Sequence, residues 1–147
     1  IMDLSDVDNG NVTFVGNSNA GGFSTAHNIV ANPDSGRLFI VGGNVGNGGL
    51  VELNLNNPEA PQIAEAWTSF YIHDAQVVSY SEGPFAGREI AFCNSGLDGG
   101  FTSTGLRIVD VTNPNNFFTV STLFYSTPSY SHQGWLSPDK RYFYLHD

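Results

Sequence analysis

Cysteine and lysine each occur once in the 147 residues, as Cys93 and Lys140. A single thiol rules out a disulfide within the chain and a zinc site built on cysteines. Lys and Arg together number 5 against 14 Asp and Glu, giving a net charge of −9. Phosphate recognition needs a basic stripe, and these residues cannot form one, so nucleic acid is excluded as a partner. Anionic membrane surfaces are disfavoured for the same reason. No run approaches the roughly 18 apolar residues of a membrane-spanning helix. Helical periodicity is almost absent: the best stretch, Pro58–Trp67, carries two prolines that interrupt it. Gly-x-Ser-x-Gly and His-Glu-x-x-His are missing too, which removes the common hydrolase and zinc-protease motifs.

What is present is strand and turn. Hydrophobic residues make up 40% and aromatics 13%, enough apolar surface for a core. Runs rich in Val, Ile, Phe, Tyr and Thr recur at Val12–Val15, His27–Ala31, Arg37–Val41, Leu50–Leu55, Gln62–Trp67, Asp74–Tyr80, Glu89–Cys93, Leu106–Val111, Phe117–Tyr125 and Arg141–Leu145. Gly (17 residues) and Asn (15) punctuate the gaps, and both tolerate tight-turn geometry. The class is therefore all-β.

A repeat narrows it further. Met2-Asp3-Leu4-Ser5, Leu53-Asn54-Leu55-Asn56 and Val109-Asp110-Val111-Thr112 share the order apolar, Asp or Asn, apolar, turn. Each precedes a strand, then a histidine with a polar follower: His27-Asn28, His73-Asp74 and His132-Gln133. A turn and another strand come next. A period of about 50 residues with four strands fits a β-propeller blade. The expectation is about three four-stranded blades of a larger ring, in units near 1–49, 50–105 and 106–147, with no second domain. Tyr80–Gly87 and Ser95–Thr104 read as loop insertions, and glycine-rich Gly42–Gly49 as a loop connecting blades. A closed ring usually has four to eight blades. The expected partners are therefore the remaining blades of the same parent protein or other copies of the chain. The opening at Ile1 and the close at His146-Asp147 in apparent mid-strand read as a piece of something larger.

These residues resemble a known family. Leu106-Arg107-Ile108-Val109-Asp110-Val111 is similar to the LVIVD repeat. Thr25-Ala26-His27-Asn28-Ile29, Tyr71-Ile72-His73-Asp74-Ala75-Gln76, Gly87-Arg88-Glu89-Ile90-Ala91-Phe92 and Ser131-His132-Gln133-Gly134-Trp135 resemble the choice-of-anchor B family. The resemblance covers essentially the whole chain. It implies a secreted or cell-surface protein with an LVIVD-type propeller and a variable C-terminal anchor. It implies a fold and a location rather than a reaction. The chain departs from the family pattern by stopping at Asp147 and showing no anchor.

The three repeated histidines carry the chemistry. If their strands are innermost, His27, His73 and His132 converge at one end of a channel. Neutral imidazole suits copper or zinc, and three histidines around an open position is a known catalytic zinc arrangement. Asn28, Asp74 and Gln133 are then the side chains that would orient the imidazoles. The other reading is a tertiary lock, in which each histidine bonds a neighbouring blade's backbone. His146 falls at a strand end aligned with Gly42 and Cys93, which are not histidines. Asp3, Asp6 and Asp8 in Asp-x-x-Asp-x-Asp offer oxygen ligands for calcium, although the spacing is not an EF-hand and turn chemistry alone recruits such residues. Asp98, in the glycine-rich Asn94–Thr104 segment, is a weaker calcium candidate. Cys93, within an apolar run, reads as an inert buried thiol. The aromatics crowding the last third read mainly as packing, with an exposed partner or carbohydrate platform as the alternative.

Two functions follow. One is a non-enzymatic extracellular binding or structural module, with or without a metal at the channel. The other is a copper- or zinc-dependent enzyme using the channel histidines on a small molecule.

Overall fold

A computed structural model describes all of residues 1–147. It has no α-helix, only four short 3-10 turns and twelve strands. In chain order the strands are β1 (Met2–Asp3), β2 (Thr13–Phe14), β3 (Asn28–Asn32), β4 (Arg37–Val41), β5 (Leu50–Asn54), β6 (Gln62–Trp67), β7 (Ile72–Ser79), β8 (Glu89–Ser95), β9 (Gly105–Asp110), β10 (Phe118–Leu123), β11 (Gln133–Leu136) and β12 (Phe143–His146). Gln62–Trp67, inside the one stretch with helical character, is a strand. Two prolines precede it, and Ile63, Ala66 and Trp67 find apolar neighbours there. Gln133–Leu136 escaped the strand reading because Gln and Gly make up half of it.

The strands form four separate antiparallel sheets, none of them closed. Strands β3 to β6 make one sheet of four in simple up-and-down order, and β7 to β10 another. Two-stranded ribbons, β1–β2 and β11–β12, flank them. The glycine-rich Gly42–Gly49 therefore does not connect blades. It joins β4 to β5 within one sheet.

Side chains alternate along each strand, so each four-stranded sheet buries both faces. Phe39 and Val41 of β4 meet Ala91 and Cys93 of β8 in the largest core cluster, between the two four-stranded sheets. The other face of β8, through Ile90 and Phe92, packs on Leu136, Phe143 and Leu145 of the β11–β12 ribbon. Phe92 and Phe143 stack with centroids 5.5 Å apart. The outward face of the first sheet gathers Ile40, Val51 and Leu53, with Phe23 and Leu38 against them.

Turns after β1, β5 and β9 share one device. The Ser5, Asn56 and Thr112 amides donate to Asp3, Asn54 and Asp110 side-chain oxygens at 2.9, 2.8 and 2.9 Å. Asn57 and Asn113 likewise accept from Glu59 and Asn115. These are Asx turns, in which a short carboxylate or amide replaces a backbone acceptor. The 49/50 boundary of the proposed units falls between β4 and β5, and 105/106 falls inside β9. The hydrogen-bonded sheets are thus out of phase with units counted from Asp3.

Candidate functional site: a row of imidazoles

The first strands of three successive sheets lie side by side, β3 against β7 and β7 against β11. They share no ladder; side chains join them. Asn28 Nδ2 donates to Asp74 Oδ1 at 2.9 Å, and the Leu136 amide donates to Gln76 Oε1 at 2.7 Å. Lower down, Asn32 Nδ2 donates to Ser79 Oγ and to Glu89 Oε1.

The histidines stand where these strands begin. His27 and His132 immediately precede β3 and β11, and their amides donate to the Val41 and His146 carbonyls, each at 2.9 Å. His73 lies in β7 at a bulge: Ile72 pairs with Ser95 and Asp74 with Asn94, leaving His73 as the extra residue. A bulge re-aims the side chain it carries. The ring centroids of His27 and His73 are 3.8 Å apart, and those of His73 and His132 are 4.3 Å apart. His146 continues the row, 5.5 Å from His132. Gly42 makes room for it: with φ +62°, its added Cβ would lie 2.6 Å from the Cβ of His27.

His73 is buried, and its Nδ1–H donates to the His132 carbonyl at 2.8 Å. A carbonyl can only accept, so Nδ1 carries the proton and Nε2 is the free nitrogen in the neutral ring. Burial holds the His73 pKa below the ordinary imidazole value. The flanking His27 and His132 push it the same way, against that hydrogen bond. This contact is the tertiary lock anticipated for the repeated histidines, seen here for His73.

Tyr130 packs edge-on to His73, with centroids 5.1 Å apart, and its hydroxyl donates to Asp98. Burial first, and the Asp98 carboxylate next, push that phenol well above its usual range. Asp98 thus serves a phenol. From the sequence, Tyr71 and Tyr130 read only as part of the family-like segment and of the aromatic-rich last third, not as site residues, since their loops follow no common spacing.

At such short centroid separations the in-plane edges of the rings would collide, so His27, His73 and His132 lean against one another with planes tilted by 37° and 43°. Rings in such close lateral contact do not aim three lone pairs at one point. Accordingly, no three His, Cys, Asp or Glu side chains anywhere in the chain are arranged to hold a metal ion.

The side chains expected to orient the imidazoles do something else. Asn28 and Asp74 bond each other, and Asp74 also caps the Ala75 amide. Gln133 lines a cleft of about 380 Å³ with Asp74, Trp135, Tyr144 and His146. Opposite Asn28, Asp74 and Gln133 stand Val41, Asn94 and His146. His146 therefore aligns with Val41 and Asn94, one residue away from the expected match with Gly42 and Cys93.

Asp3, Asp6 and Asp8 do not converge on a calcium site. Asp3 caps Ser5, Asp6 accepts from the side chains of Asn9 and Asn11, and all three acids are exposed. These bonds hold Asp3 and Asp6 below the usual carboxylate range. Cys93 is fully buried, and burial pushes its thiol far above the ordinary value, which makes it a poor nucleophile.

Sequence reasoning also passed over a buried ion network. Arg37 Nε donates to Glu52 Oε1 at 2.8 Å, and its terminal nitrogens reach Glu52 and Glu89. Nη1 also donates to the Val111 carbonyl at 2.5 Å. Burial opposes the charge on Arg37, but the two carboxylates outweigh it and raise its pKa. The signal was there to find: Arg37 and Glu89 are 52 residues apart, close to the period of about 50 expected from the sequence.

Comparison with protein-family models, with curated proteins and with solved structures finds no match.

Proposed function

We propose that the chain is a run of consecutive blades of an LVIVD-type β-propeller, resembling the choice-of-anchor B family. It serves outside the cell or at its surface as a non-enzymatic binding or structural module. One observation carries this reading: the first strands of three successive sheets lie side by side, each with a histidine at the same end. Sheets that meet face to face in chain order, with first strands gathered, are what radial repetition of a four-stranded unit produces. On this reading β1–β2 are the outer two strands of one blade and β11–β12 the inner two of another. The remaining blades come from the same parent protein or from other copies. The net charge of −9, the single lysine and the absence of a disulfide suit a bacterial exterior or a marine setting. No helix is long and apolar enough to cross a membrane.

In this role the imidazole row is a joint. His73 ties the second sheet to the backbone of the third, and the closely packed rings fill the end of the channel. The clustering also carries the second reading, a copper- or zinc-dependent enzyme acting on a small molecule, which requires the rings to turn their nitrogens inward.

Two measurements on the intact protein, purified without added metal, decide between them. Two-dimensional electron-microscopy class averages are expected to show a ring of four to eight blades. Images without radial blades overturn the fold reading. Elemental analysis is expected to give less than about a tenth of an equivalent of transition metal. A value near one equivalent overturns the joint and establishes a metal centre, since a preformed histidine site retains its ion through purification.

A further inference from the structure

Arg107 is the one basic side chain whose burial the fold does not explain. It lies in β9, the third strand of the second four-stranded sheet, and its side chain is fully buried. Arg37 and Arg88 have carboxylate partners; Arg107 has none. Its Nη2 donates to Ser103 Oγ at 2.9 Å, while Nε and Nη1 have no hydrogen-bond partner. The flat faces of the guanidinium are covered by Phe70, 4.0 Å to the ring centroid, and Phe124, 4.7 Å. Aromatic faces stabilise a cation but cannot accept its in-plane N–H groups.

The sister sheet shows what the fold itself requires here. In the second sheet Arg107 pairs with Cys93, and in the first Val51 pairs with Ile40. Ile40 and Cys93 occupy the same place in their strands, one residue before Val41 and Asn94. Arg107 therefore stands where the first sheet places a buried valine. Packing is served by an apolar residue, and an unpaired buried charge costs several kcal/mol relative to it. Something outside folding must account for the arginine.

The geometry points to Arg107 as the floor of a binding site for one small anion of the carboxylate or halide class. The Nε–H and Nη1–H groups supply its donors, beside the Ser103 hydroxyl. Phe124 is the cover. It is 65% exposed, just beyond the end of β10, and its swing opens the guanidinium to solvent. The net charge of −9 disfavours a polyanion and leaves a single small charge as the fitting ligand. This inference does not depend on the propeller reading, and its failure would leave that reading untouched.

Thermal unfolding of the intact protein at constant ionic strength tests it, with sodium formate and sodium chloride as separate probes. An anion held only by the folded state raises the midpoint by about 3–5 °C for each tenfold increase above its Kd. Wild type is expected to show this with at least one probe, and Arg107→Met with neither. The probe that works tells carboxylate from halide. No rise in wild type, or an equal rise in Arg107→Met, overturns the site. Should Arg107→Met not fold, line widths on wild type replace it, chlorine-35 for chloride and carbon-13 for formate. Excess broadening of at least one probe that saturates with its concentration supports the site; line widths that the protein leaves unchanged for both overturn it.

Discussion

Among single residues, Arg37 concentrates the most consequence. Its guanidinium joins Glu52 of its own sheet to Glu89 and the Val111 carbonyl of the next. Phe39 and Phe117 lie against it. Removing the cation strands two buried carboxylates, so Arg37→Met is expected to lower stability in urea by about 3–5 kcal/mol. Adding Glu52→Gln and Glu89→Gln removes the stranded charges and is expected to restore most of that loss. A triple variant no better than Arg37→Met would show that the charges are not what matters. At this scale the sequence was legible where the chemistry is local. Asp3, Asn54 and Asp110 announce their Asx turns because donor and acceptor are two residues apart. The Asn28–Asp74 bond hid in plain spacing, 46 residues apart. Contacts between sheets sit near the repeat length, but nothing in one sequence says which of the residues so spaced will touch. Arg107 was invisible as a special residue, since Leu-Arg-Ile-Val-Asp reads like any alternating strand.

At the level of elements, the bulge in β7 and the strand starts at β3 and β11 decide where the imidazoles go. The His73 pKa is depressed in the folded protein, so the unfolded chain accepts a proton that the folded one resists. Its contribution to stability is whole above the ordinary value of about 6.5 and declines as pH falls from there toward the folded pKa, then levels off. His73→Gln keeps a donor for the His132 carbonyl and removes the titration. The stability gap between wild type and this variant is expected to shrink between pH 7.5 and pH 5, followed by urea unfolding. A gap independent of pH would contradict it. Strands were the readable elements: Arg37–Val41 and Gln62–Trp67 begin and end where their residues said. Strand β7 opens two residues earlier than Asp74, because Ile72 and His73 are drawn in by β8. The aromatics of the last third divide. Phe117 and Phe143 pack, while Trp135, Tyr142 and Tyr144 are 60–68% exposed on the ribbon's open side. Burial there depends on a neighbouring face, which strand propensity does not encode.

On the scale of the whole chain, the two ribbons matter most. Strands β1 and β12 each present an unpaired edge, and exposed edges recruit other strands. A polypeptide of these 147 residues is therefore expected to associate at micromolar concentration, seen as a mass above 15.8 kDa in light scattering. A monomer that unfolds in one sharp transition would contradict this. The side-chain rungs have a further consequence. They tie together the first strands and, through Arg37 and Glu89, the second, whereas the fourth strands bury little: only Trp67 in β6 and no residue of β10. Rigidity is therefore graded across each sheet, firm at one edge and yielding at the other. Amide protons of β6 and β10 trade with solvent soonest, and the turns that lead into them, near Asn57 and Asn113, are where added sequence is best tolerated.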